Sequence, residues 1–344
     1  MRCRSPWSED HAGGPHANID RAPPTNFSES GLSVRGVKMT TDGIQLVGPS
    51  RDPVDGEVRV TVSSSGICGS DLHMASFGPS WVILGHEFSG RLEDGTAVAV
   101  LPVVHCGTCD RCLAGAAQQC RNALGSMYGV SLDGGLADEV WVHPSCAVPL
   151  PTGLALDRAN LVEPLAVALH CINRVGVVDG MRILILGAGP IGLCAVAVAR
   201  QLGASVELEG HRPSRIEVAE RLGASLRVGT DYDVVLDAAG TQSSLDRAVE
   251  LVRPGGTVGI LGTFWNPVSL GMAFQIKELT LLPSFTYGHH HGIDEFVEAT
   301  RILDAFPDLS DALVTHRFGL DEAPEAFRVA GDRDEDAIKV VVHP

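Results

Sequence analysis

The chain has 344 residues and a mass of 36.2 kDa, with 44% hydrophobic and 20% charged residues, which suits a well-buried globular protein large enough for two domains. A formal charge of -16 and a pI near 5.2 argue against nucleic acid or an anionic lipid surface as the main partner. No apolar run reaches the roughly 20 residues that a membrane-spanning helix needs. The start MRCRSPWSEDHAGGPHANID lacks the apolar core of a secretory signal, so the expected location is the cytoplasm.

Residues 1–33, rich in Pro, Gly, Ser, Asn and His, read as a flexible extension or as a misassigned start upstream of Met39. From 34 to 164, short alternating runs such as EVRVTVSSSGIC, TAVAVLPVV and ADEVWVHP are broken by Gly, Pro and Asp, the pattern of an antiparallel, barrel-like β domain. Within it, GICGSDLH (66–73) and GHE (85–87) place Cys68 and His86 on glycine-flanked turns. A thiolate and an imidazole suit a zinc that still needs a third protein ligand and an open position, and Glu163 in LVEPLAVALH is the best candidate. Taken singly, Cys68 reads as core and His86-Glu87 as a polar turn.

The stretch HCGTCDRCLAGAAQQC puts Cys106, Cys109, Cys112 and Cys120 at the spacing C-x2-C-x2-C-x7-C. Four thiolates that close saturate one tetrahedral zinc and leave no place for substrate, so this set predicts a structural metal. Disulfides fit poorly with clustered cysteines in a large chain expected in the cytoplasm.

From 165 to 308 the texture changes to repeated strand, glycine turn and helix, which predicts a doubly wound parallel sheet. Gly187-Ala-Gly189-Pro190-Ile191-Gly192 lies between an apolar strand and an apolar helix, as a dinucleotide-binding turn requires. After the second strand, Glu209 is available to the adenosine ribose, which favours NAD. The tip itself is Gly210, followed by His211, Arg212 and Arg215, which suit a 2′-phosphate. The balance leans to NADP over NAD. The run His289 to His291 reads as a solvated loop, and residues 309–344 as a return to the first domain.

In this order GICGSDLH, GHE, the four-cysteine lobe, DGGLADEV, LVEPLAVALH and GAGPIG resemble the zinc-containing medium-chain dehydrogenase/reductase (alcohol dehydrogenase) family, most closely its polyol and threonine dehydrogenase branch. The resemblance runs from about Val34 onward. It implies a GroES-like catalytic domain beside a Rossmann domain, and two zinc ions per chain, one catalytic and one structural. It implies that Cys68, His86 and Glu163 hold the catalytic ion, with Glu87 a direct or exchanging ligand; in several relatives the glutamate matching Glu163 reaches the metal only through water. Asp71 would orient His86, Ser70 would take the alcohol proton, and His73 would be an outer member of the path to solvent. Lys339 matches a position that contacts the cofactor pyrophosphate, although by itself it reads as a solvated lysine. The implied reaction interconverts a secondary alcohol or polyol and its ketone or aldehyde by hydride transfer, in a homodimer or homotetramer. Two rival readings are a zinc-independent quinone or enoyl reductase and a non-catalytic protein that binds zinc and nucleotide.

Overall fold

The computed structural model describes residues 34–344, so the extension expected over 1–33 lies outside the described residues. The chain begins with the hairpin β1 (Gly36–Thr40) and β2 (Gly43–Val47), then the long strand β3 (Val58–Ile67) leads into helix α1 (Gly69–Ser76). Strands β4 (Glu87–Leu92), β5 (Ala97–Val100), β6 (Glu139–Val142) and β7 (Ala147–Pro149) follow, with the four-residue helix α2 (Asp110–Leu113) in the cysteine-rich excursion between β5 and β6. Helix α3 (Val162–Val175) leads to β8 (Arg182–Leu186), α4 (Pro190–Gln201), β9 (Ser205–Glu209), α5 (Pro213–Arg221), β10 (Tyr232–Asp237), α6 (Gln242–Leu251), β11 (Val252–Ile260), α7 (Met272–Ile276) and β12 (Thr280–Pro283). The short pair β13 (His289–His290) and β14 (Ile293–Asp294), helices α8 (Glu295–Ala305) and α9 (Pro307–Leu313), strand β15 (Val314–Gly319), α10 (Ala323–Gly331) and β16 (Lys339–His343) complete it.

Two sheets organise these elements. One has the order β15-β16-β3-β4-β5-β7, with β6 also paired to β3. Its pairs are antiparallel except β15 with β16, which run parallel, so the antiparallel pattern expected for residues 34–164 holds and the returning segment adds one parallel pair. The parallel exception follows from connection: α10 lies between the two strands as a crossover helix, which turns the chain back in the same direction. The other sheet has the order β12-β11-β10-β8-β9 with every pair parallel. Its strands are apolar runs such as RILIL and YDVVLD, buried because helices cover the sheet. The chain leaves β8 to one side for β9 and returns on the other side for β10, so the turn after β8 opens at a topological switch point, where doubly wound sheets bind ligands.

Helix α3 joins the two halves. Leu165, Ala166, Ala168 and Ile172 are wholly buried and belong to one apolar cluster that also includes Val98 and Phe88 of the first sheet and Ile183 and Val234 of the second. A helix apolar on nearly all faces must be enclosed, and here sheet, α4 and α8 enclose it. The change of texture read at residue 165 therefore falls inside a helix. Pro164 does not break it, because proline is tolerated in a first turn whose N–H groups have no partner.

Candidate active site

The pocket is built where β3 ends. Cys68 leaves the strand in an extended conformation and caps α1, and its backbone N–H donates to Asp71 Oδ2 at 2.8 Å. Asp71 is fully buried, and its Oδ1 lies 3.5 Å from His86 Nδ1, so one carboxylate anchors the helix start and orients the imidazole. His86 Nε2 faces Ser70 Oγ at 3.2 Å. Donor atoms of Cys68, His86 and Glu87 lie within 4.8 Å of one another, a spacing that fits a single metal ion.

Glu163 enters from the first turn of α3 and is buried, but its carboxylate is not within 4.8 Å of all three other donors. Burial pushes its pKa up to about 8, against the opposing pull of His86. The structure thus brings Cys68, His86 and Glu87 together and holds Glu163 beside them. Although desolvation works against it, the His86 ring is driven well above its ordinary pKa by Asp71 and Cys68. The same negative field favours a dication at this place.

Lys339 corrects the sequence reading. It is 2% exposed, not solvated, and its Nζ donates to Glu87 Oε1 at 2.8 Å and Oε2 at 2.6 Å and to the Ile67 carbonyl at 3.3 Å. Desolvation opposes its charge, yet Glu87 holds it above the ordinary lysine range. The pair needs Gly66: a Cβ there would sit 2.2 Å from Glu87 Oε2. The only sequence signal was a lysine opening the apolar strand KVVVH.

The four lobe cysteines also converge within 4.8 Å. Backbone N–H groups of Thr108 and Cys109 draw Cys106 down to about 6, while desolvation, then the hydrogen bond its thiol donates to Cys109, pushes Cys112 up to about 12. Four thiols that cannot all ionise together are a donor set completed by a cation.

At the switch point, Gly192 packs so closely that a Cβ would lie 2.0 Å from the Gly187 carbonyl, whereas Gly189 has open space before it. Gly189 caps α4 and Pro190 and Ile191 form its first turn, so helix N–H groups face that space, the arrangement that receives a pyrophosphate. Glu209 ends β9, but Arg247 of α6 holds its carboxylate from Nε at 3.1 Å and Nη2 at 2.9 Å. Glu209 thus enters the site as half of an ion pair with Arg247, which no local sequence signal announces. Gly210 packs on Ala188. Among the described residues, half-buried Arg212 has no partner for its Nη1, and Arg215 donates to the Ala337 carbonyl and has none for its Nε. Desolvation and then repulsion from Arg212 lower the Arg215 pKa, so an anion between the two guanidinium groups relieves both. His211 is exposed beside them.

His73 Nδ1 bonds the Gly69 carbonyl at 2.7 Å, and its ring stacks on Trp265. His289 lies 3.6 Å from Asp294 and is exposed, with no metal cluster around the His289 to His291 turn among the described residues.

Open metal donors beside a nucleotide-binding turn define a metal- and nucleotide-dependent dehydrogenase. Residues 54–152 match the alcohol dehydrogenase GroES-like domain and residues 190–305 the zinc-binding dehydrogenase domain. The chain is 30% identical to L-galactonate-5-dehydrogenase of Escherichia coli over 90% of its own length and 99% of that protein. Galactitol-1-phosphate dehydrogenase from Escherichia coli superposes with a TM-score of 0.80 at 30% identity, covering 90% of this chain and 100% of the other. A zinc-binding dehydrogenase from Sinorhizobium meliloti bound to NADP gives 0.78 at 29% identity over 90% and 99%. The chain belongs to the zinc-dependent alcohol dehydrogenase family, and its reaction is nicotinamide-linked alcohol oxidoreduction. The quinone reductase and non-catalytic readings are set aside.

Proposed function

We propose that this enzyme oxidises a secondary alcohol of a polyol or sugar-derived substrate, reversibly, with NADP preferred. The convergence of Cys68 and His86 beside Ser70, with the Lys339-paired Glu87 and the buried Glu163 adjacent, carries the reading. The catalytic domain comprises 34–164 and 309–344, and the nucleotide domain 165–308. Cys68, His86 and Glu163 hold the catalytic zinc, because the Glu87 carboxylate is committed to Lys339. Cys106, Cys109, Cys112 and Cys120 hold the structural one.

When bound, zinc supplies Lewis acidity to the alcohol oxygen, and the nicotinamide supplies the hydride acceptor. Ser70 Oγ accepts the hydroxyl proton in the pocket and hands it outward toward His73. Asp71 fixes His86, and Lys339 neutralises Glu87 so that the pocket carries less surplus negative charge. The Gly187 to Gly192 turn receives the pyrophosphate, and Arg212 and Arg215, with His211 beside them, receive the 2′-phosphate.

The polyol class is supported by the named activities of the relatives. Among the described residues no helix is long and apolar enough to cross a membrane, and the cytoplasm is the proposed location. A homodimer or homotetramer is the proposed assembly, supported by the open edge that β12 presents.

Turnover of polyols, sugar acids and simple secondary alcohols with each cofactor tests the reading. Loss of one charged hydrogen bond in Arg212→Ala should lower the preference for NADP over NAD about 10- to 100-fold. An unchanged preference removes Arg212 from the phosphate site.

A further inference from the structure

The indole of Trp265 lies parallel to the His73 imidazole, with ring centroids 4.3 Å apart and an interplanar angle of 1°; Phe77 stands 6.1 Å from the indole, tilted by 51°. His73 belongs to α1 of the metal-binding half, whereas Trp265 is carried by the loop after β11 of the nucleotide half. That loop is tied at both ends. Leu261 and Gly262 donate their backbone N–H groups to the Asp237 carbonyl, at 2.9 and 2.8 Å. Beyond the tryptophan, the Gln242 side chain donates to the Ser269 carbonyl at 3.0 Å and accepts from the Ser269 N–H at 2.8 Å. Trp265 is therefore presented by an anchored loop, and 38% of its surface remains exposed.

The imidazole is held in one tautomer. A carbonyl oxygen only accepts, so the 2.7 Å contact with Gly69 places the proton on Nδ1 of the neutral ring. Nε2 then keeps its lone pair and is the atom able to take a proton. His73 stands three residues beyond Ser70 on the same side of α1, but its ring is exposed and bonded only at Nδ1. Rotation about the side chain would lose both the tautomer and the direction of Nε2.

We propose that Trp265 is a positioning residue for this proton path: its stack fixes the His73 ring with Nδ1 on the Gly69 carbonyl and Nε2 free to take the proton. This rests on the reading of His73 as the outer member of the path. In the alcohol-oxidising direction Nε2 takes the proton that Ser70 hands outward, the ring becomes an imidazolium, and a proton passes to solvent water, restoring the neutral ring. The indole face also stabilises the transient positive charge.

The experiment is a double-mutant cycle on the zinc-loaded enzyme, with ring-nitrogen spectra of 15N-histidine-labelled protein alongside. His73→Ala should lower kcat about 100-fold and Trp265→Ala about 10-fold, with the KM for alcohol nearly unchanged. Trp265→Phe should retain kcat within about twofold, because a phenyl ring still stacks. In the His73→Ala background, Trp265→Ala should have no further effect. Losses that multiply, or a raised KM with kcat intact, overturn the proposal. The spectra separate this from failure of the dehydrogenase reading. Wild type and Trp265→Phe should show His73 as the Nδ1–H tautomer and Trp265→Ala a mixture, whether or not an alcohol is turned over; identical spectra in all three sink the stack's role.

Discussion

In the cysteine lobe, four like donors sit on short turns, with Cys106 exposed and Cys109 and Cys112 partly so. In the Cys68 pocket, unlike donors come from three separated segments and are mostly buried, with Asp71, Lys339 and Ser70 arranged around them. The lobe offers four protein donors, enough to surround one ion, whereas the pocket holds a charge balance that one incoming oxygen can join. Local sequence concentrates the donors in the first case. Tertiary structure concentrates them in the second, the one proposed to be reactive.

Three measurements test that contrast. The largest effect is expected from Cys68→Ser, which should lower kcat/KM about a thousandfold, several kcal/mol of lost transition-state stabilisation. Metal content should fall from two zinc ions per chain to one, with the lobe still loaded; full activity with both metals would remove Cys68 from the site. Next is Glu163→Gln. The folded pKa of Glu163, about 8, lies above its ordinary 4.5, so in chelated protein its contribution to stability is intact below about pH 4.5 and is lost as pH rises to about 8. Chelated Glu163→Gln should therefore exceed chelated wild type in stability at pH 8.5, by on the order of a few kcal/mol, and match it near pH 4.5. Zinc loading should reverse the order at pH 8.5. Parallel melting curves for wild type and variant at both pH values would place the negative charge elsewhere. The smallest effect is Cys112→Ser, which should lower Tm by roughly 5–10 °C and remove one zinc while kcat per folded chain changes little. A collapse of kcat in chains that remain folded would erase the distinction between the two clusters.

Much of this organisation is written locally. The alternation in VRVTVSSSGI and the run RILIL before GAGPIG mark strands whose burial the fold then explains, and the spacing of the four cysteines needs only a turn to converge. What could not be read are contacts across long separations. Lys339 looks like a surface lysine until β16 slides beside β3 and meets Glu87 across 252 positions. Glu209 looks free until α6 brings Arg247, and nothing near Trp265 announces His73. Each depends on how elements pack, which neither periodicity nor spacing encodes.

The insertion of β16 between β15 and β3 has a consequence for biosynthesis. Lys339 and its Ile67 partner are 272 residues apart, so at 5–20 residues per second β3 is synthesised roughly 15–55 s before the strand that covers this edge. Throughout that interval the nascent sheet presents unpaired backbone and Glu87 has no counter-ion, while the parallel sheet of the nucleotide half can already close. Vectorial folding thus lets the parallel sheet close early and completes the Cys68 pocket late, and assigns the period of greatest exposure to chaperones and to aggregation to the edge of β3.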